Sequence, residues 1–159
     1  MKKFAFGMLL AALATPVLAS GTHEGGHDKK MAIGEPGEKA KVTQTINITM
    51  KETDDGKMLF TPASIKVRKG QTVRLSIKNV GELDHEFVLD GEDEIMEHKA
   101  LMEKFPEMEH DDPNAIRLTA GKSGEIVWKF TNGGTFKFAC LVPGHYDAGM
   151  HGDVTVAKK

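Results

Sequence analysis

Residues 42–50, VTQTINITM, and residues 71–81, QTVRLSIKNVG, set apolar and polar side chains in near-strict alternation. Val42, Ile46, Ile48 and Met50 share one face of the first run, and Val73, Leu75 and Ile77 share one face of the second. A period of two marks a strand with one buried face. Between the two runs, DDG at 54–56 makes a turn, and SIKVRKG at 64–70 continues the rhythm with Ile65 and Val67. Further along, HEFVLD (85–90) aligns His85, Phe87 and Leu89, EIVWKF (125–130) aligns Ile126, Trp128 and Phe130, and GDVTVA (152–157) aligns Val154 with Val156. Short alternating runs punctuated by Gly, Asn and Pro predict an all-β sandwich or barrel.

One segment breaks the pattern. Residues 82–112 carry 13 acidic side chains against Lys99 and Lys104, and EDEIMEHKALMEKFPEMEHDDP favours helix until Pro106 and Pro113 interrupt it. An insertion between strands is expected at about 90–114, part helix and part loop. It holds Met96, His98, Met102, Met108 and His110, which at helical spacing read as packing rather than as ligands.

The N-terminus has a different character. Residues 1–19 combine Lys2 and Lys3, an apolar run from Phe4 to Ala14, and small residues Val17 and Ala19 before a cut, the pattern of a cleaved secretory signal peptide. Its bacterial style places the mature protein in the periplasm, and no later run is long and apolar enough to span a membrane. Residues 20–41, rich in Gly and charge without apolar periodicity, are expected to form a flexible tail bearing His23, His27 and Met31, either a solvated linker or a weak metal-capturing segment. The domain proper then runs from 42 to 159. Of the 21 basic and 23 acidic residues, the leader takes two lysines, leaving 19 against 23 and a net charge of −4, which favours no nucleic-acid partner. A monomer is expected.

The chain has one cysteine. In an exported protein a lone cysteine has no internal disulfide partner, so it pairs between molecules, stays a reactive thiol, or holds a metal as thiolate. In TFKFAC (135–140), alternation puts Phe136, Phe138 and Cys140 on the inner face at the end of a strand. The turn LVPGHYDAGM (141–150) then curls back before the sheet resumes, so one loop can present Cys140, His145 and Met150 to one point. A soft thiolate, an imidazole and a thioether suit copper better than zinc, and far better than calcium or magnesium. A trigonal His₂Cys set with a weak axial thioether needs a second imidazole, and His85, at the start of a strand after NVGELD, is the natural donor. His151, directly after Met150, reads as a surface histidine, with a competing axial ligand as the alternative.

With NVGELDHEF upstream and CLVPGHYDAGM downstream, the chain resembles the cupredoxins, the type 1 copper proteins, over about residues 42–157. It is most similar to the small periplasmic members associated with bacterial copper tolerance, which carry a Cys-x4-His-x4-Met loop and a His- and Met-bearing leader. The resemblance implies a Greek-key β-sandwich with one copper ion near one end, bound by His85, Cys140, His145 and Met150. It also implies that His145 reaches the surface through an apolar rim of Val142, Pro143, Gly144 and Ala148, where a redox partner docks transiently. Many members have a small polar residue after the first histidine, where this chain has Glu86, so the hydrogen bonding around the ligands is expected to differ.

A copper held by four fixed ligands leaves no position for substrate, so one-electron transfer rather than enzymatic turnover is expected. Copper tolerance or homeostasis is the favoured role, with a dedicated respiratory electron carrier as the alternative. A hydrolase using Cys140 as nucleophile and His145 as base is the reading from another class, disfavoured by a thiol that points inward.

Overall fold

The structure is a computed structural model and describes residues 31–158 apart from 107, 109 and 110. Among these, ten strands build two five-stranded sheets: β1 (Glu35–Pro36), β2 (Gln44–Glu52), β3 (Met58–Thr61), β5 (Thr72–Asn79) and β8 (Ser123–Lys129) in one, and β4 (Ser64–Arg68), β6 (His85–Asp90), β7 (Ala115–Leu118), β9 (Gly134–Ala139) and β10 (His151–Ala157) in the other. The spatial orders are β1-β8-β5-β2-β3 and β4-β10-β9-β6-β7. The chain crosses repeatedly between the sheets, so only β2–β5 and β4–β10 pair in parallel. This is the expected Greek-key sandwich.

Alternation becomes burial as the sequence predicts. Val73, Leu75 and Ile77 of β5 are fully buried, and the register sets Leu75 between Ile46 of β2 and Ile126 of β8. Ile65 and Val67 of β4 and Val154 and Val156 of β10 face them across the sandwich within one core cluster. Under the end where β6 begins and β9 stops, Phe60, Phe87 and Phe138 pack with centroids 5.1–5.7 Å apart. Aromatic contacts of this geometry each add about 0.5–1.5 kcal/mol beyond area burial.

Two features depart from the sequence reading. The stretch expected to be a tail up to residue 41 is already part of the fold from residue 31. Ile33 is fully buried, Met31 packs against the core, and β1 pairs with β8 through Glu35↔Lys129 and Pro36↔Trp128. β8 would otherwise be a bare sheet edge, and a two-residue strand holding a proline covers it while presenting no long edge of its own. Residues 1–30, with the signal peptide, His23 and His27, lie outside the described residues, as does His110.

The second departure is at β6, where Glu86 and Val88 are buried as well as His85, Phe87 and Leu89. The reason is α1 (Glu92–Lys104), which fills the expected insertion and lies on the outer face of this sheet. Ile95 and Met102, two turns apart, pack on Val88, Ala139 and Leu141, with Met108 and Tyr146 at the margin. Glu92, Asp93 and Glu94 sit at the positive end of the helix dipole and Lys104 at the negative end, and the helix stops before Pro106, which disfavours helical geometry at Phe105. Buried Asn114 closes the base of the insertion: its side chain donates to the Leu89 carbonyl at 2.9 Å, and its own carbonyl accepts from the Leu89 N–H at 3.0 Å.

Candidate metal centre

The loop between β9 and β10 is shaped by its own backbone. The Cys140 N–H donates to the Met150 carbonyl at 3.0 Å, closing the neck, and the Met150 N–H donates to the His145 carbonyl at 3.0 Å. Inside it, the His145 N–H reaches the Val142 carbonyl at 3.0 Å across Pro143 and Gly144. Proline at the second position of that turn and Gly144 at φ +85° at the third make a type II turn, which only glycine enters without strain. The turn folds His145 back over Cys140. A further bond, from the Met58 N–H to the Ala148 carbonyl at 3.1 Å, ties the loop to the opposite sheet.

His85 arrives from the start of β6, delivered by a loop that is also pinned. Buried Asn79 donates to the carbonyls of Leu83 (2.7 Å) and Leu118 (3.0 Å) and accepts the Gly81 N–H at 2.9 Å. The Val80 N–H meets the Met50 carbonyl at 2.9 Å.

The donor atoms of His85, Cys140 and His145 lie within 4.8 Å of one another. The two Nδ1 atoms are 3.2 Å apart, and Cys140 Sγ is 3.4 Å from His145 Nδ1. Met150 is fully buried in the same core cluster as Cys140. Three of the residues picked from the sequence therefore meet at one end of the sandwich, and Met150 lies nearby, its backbone bonded to those of Cys140 and His145. His85 has no exposed surface, whereas His145 keeps 8%. His151 points elsewhere: it is exposed and stacks on Tyr146 with centroids 4.6 Å apart. Among the other Met and His residues, Met102 and Met108 are packed against β6 and β9, and Met96 is exposed on α1.

The electrostatics fit a soft cation and do not fit an activated nucleophile. Burial pushes the Cys140 thiol up to about 12, only partly offset by the N–H groups of Glu86 and Val142. The Glu86 N–H donates to Sγ at 3.3 Å, so the position that departs from the common cupredoxin pattern reaches the sulfur through its backbone. Burial holds both His85 and His145 below the ordinary imidazole value, with His85 adding to the effect on His145, so both rings are neutral donors at neutral pH. A dry pocket of one thiol and two neutral imidazoles, with a thioether beside it, is the donor set of a type 1 copper site.

A family model described as copper binding proteins of the plastocyanin/azurin family matches residues 46–157. The chain belongs to that family. It is a cupredoxin, and the group it binds is copper. It is 44% identical over 154 residues to the copper-resistant cuproprotein CopI of Rubrivivax gelatinosus, covering 92% of this chain and 91% of that one. The CopI protein of Pseudomonas aeruginosa is 34% identical over 154 residues, with coverage of 79% and 82%. Among solved structures, auracyanin B superposes with a TM-score of 0.62 at 25% identity over 80% of this chain and 99% of that one.

One residue near the cupredoxin site was not singled out from the sequence. Glu52, at the end of β2, places Oε1 2.9 Å from His85 Nε2, although the ring N–H is not lined up on that oxygen. The same carboxylate accepts the N–H groups of Glu82 at 3.0 Å and Leu83 at 2.8 Å. Burial raises its pKa, but main-chain N–H groups of Glu52, Leu83 and Glu82, together with His85, outweigh that and hold it below the usual glutamate value. No local motif marks this residue. It lies 33 positions before His85, and the turn at Gly81 is what brings the two together.

Proposed function

We propose that this chain is an exported cupredoxin that holds one copper ion through His85, Cys140, His145 and Met150, carries one electron at a time, and serves in copper tolerance. The observation that carries the ligand assignment is the convergence of Cys140, His145 and His85 within 4.8 Å beside buried Met150. Copper in such a set cycles between Cu(I) and Cu(II). The protein's part is to hold the ligands still, so that neither oxidation state requires the pocket to rearrange. The pinned neck between Cys140 and Met150, the type II turn before His145 and the Glu86 N–H on the sulfur all serve that end. His145 is the ligand with surface exposure, and partly exposed Val142 and Ala148 with exposed Pro143 and Gly144 surround it. That rim suits a small transient contact through which electrons enter and leave.

Copper tolerance, rather than a respiratory circuit, is supported by the CopI relatives, whose names describe copper-resistant cuproproteins. Export is supported by the composition of residues 1–19. Among the described residues no helix is long and apolar enough to cross a membrane. A cysteine hydrolase is disfavoured because the fully buried thiol is held protonated at neutral pH. The test is genetic: deletion should sensitise the source cell to added copper, and a Cys140→Ser copy should fail to restore growth. Normal growth of the deletion strain in copper, with a respiratory defect when copper is scarce, would replace tolerance with the dedicated electron carrier.

A further inference from the structure

We propose that Glu52 is a positioning residue for the copper site, its carboxylate fixing the His85 ring so that Nδ1 faces the metal and Nε2 carries the hydrogen. The inference rests on the ligand assignment above and extends it to a side chain outside the ligand set. Three observations carry it. Glu52 Oε1 is 2.9 Å from His85 Nε2, within reach of the ring N–H though not in line with it, while Nδ1 on the other side of the ring faces His145 Nδ1 at 3.2 Å. The carboxylate is itself held, with Oε2 accepting the Glu82 N–H and Oε1 the Leu83 N–H. Finally, it is seated against Gly81, where a Cβ would come within 2.1 Å of Oε2, so the loop has room for this carboxylate only because residue 81 has no side chain.

Each part has a physical consequence. A neutral imidazole has one N–H and one lone pair, and the group beside one nitrogen decides which is which. When Nδ1 gives its lone pair to a metal, the hydrogen must sit on Nε2, and Glu52 is the acceptor within reach. A carboxylate in that role orients the ring and raises its basicity as a ligand. The same anion stands one residue removed from the metal, where it favours Cu(II) over Cu(I) and lowers the reduction potential. Because the carboxylate is bound by the backbone that leads into His85, it joins β2, the turn at Gly81 and the ligand in one unit.

The test uses the full mature chain and the Glu52→Gln and Glu52→Ala variants, with two kinds of readout. Long-range ¹H–¹⁵N correlation spectra of the copper-free protein report the His85 tautomer without any metal. Chelator competition and redox titration of the copper-loaded protein report affinity and potential. The wild type should show His85 protonated at Nε2, and Glu52→Ala should show a mixture of tautomers with copper affinity reduced on the order of 10- to 100-fold. Glu52→Gln, whose amide oxygen still accepts a hydrogen bond, should keep the tautomer and most of the affinity but share a raised potential. Gly81→Ala, which displaces the carboxylate without deleting it, should follow Glu52→Ala. An Nε2–H tautomer, affinity and potential all unchanged in Glu52→Ala would overturn the proposal, as would an unchanged potential in Glu52→Gln should the alanine variant fail to fold. If instead the ligand assignment were at fault, Cys140→Ser would keep wild-type copper binding while the tautomer spectra still decided the role of Glu52.

Discussion

Cys140 shows how a side chain's chemistry is set by what surrounds it. Without metal its thiol is driven up to about 12 by burial, and a bound cation reverses that preference because only the thiolate is a ligand. Copper uptake should therefore release a proton, and affinity should fall by about tenfold for each unit the pH drops through the neutral range. Below the ordinary histidine value of 6.5 the fall should steepen as His85 and His145 begin to compete for protons, at a pH lowered by their burial. Competition titrations at several pH values would show this, and a flat profile would mean that the thiol does not bind as thiolate. Met150→Gln should keep copper and lower the potential, since a thioether is a weak axial ligand that favours Cu(I). Loss of all copper in that variant would show that Met150 holds the ion rather than tuning it. At this scale the proposed ligand set was legible because three of its residues sit at fixed spacing in one turn and the fourth opens an alternating strand. Glu52 was not, because its role exists only once β2 and the turn at Gly81 meet.

At the level of elements, the strands whose alternation is long were the legible ones: β2, β5, β8 and β10 bury the residues their patterns pick out, apart from Ile46 of β2, which is partly buried against the core. β1 escaped because two residues, one of them proline, carry no period, and its reason for existing is the edge of β8. The burial of Val88 and Ala139 escaped because alternation describes a sheet with one wet face, and here α1 covers the second. The helix is therefore more than a spacer. It also braces the ligand loop, with Lys99 Nζ 3.2 Å from Asp147 and 5.9 Å from the centroid of the Tyr146 ring. Met102→Ala should cost about 2–5 kcal/mol in urea unfolding of the copper-free protein, while Leu101→Ala, at an exposed position one residue away, should stay within about 0.5 kcal/mol. Equal effects at the two sites would mean that α1 is not docked as described.

Over the whole molecule, the ligand site is built on a sandwich that closes its own core. The main cluster runs from Ile33 and Trp128 at one end to Cys140 and Met150 at the other, so the metal adds to a fold that already stands. Copper-free protein should keep its β-sheet circular dichroism, and copper at a hundred times its dissociation constant should add about 2.7 kcal/mol of stability. Collapse of the sheet signal on chelation would contradict this. What links architecture to the proposed function is the end of the sandwich where the β9–β10 loop and the start of β6 converge, buried enough to keep the imidazoles neutral while His145 keeps a little surface. The central claim is that Cys140 binds copper there, and the most direct measurement is a copper titration of the purified protein followed by visible absorption, with Cys140→Ser alongside. An intense thiolate-to-copper charge-transfer band that saturates at about one copper per chain in the wild type and is absent from Cys140→Ser is the expected result. A band that survives in Cys140→Ser, or none in the copper-loaded wild type, would contradict it.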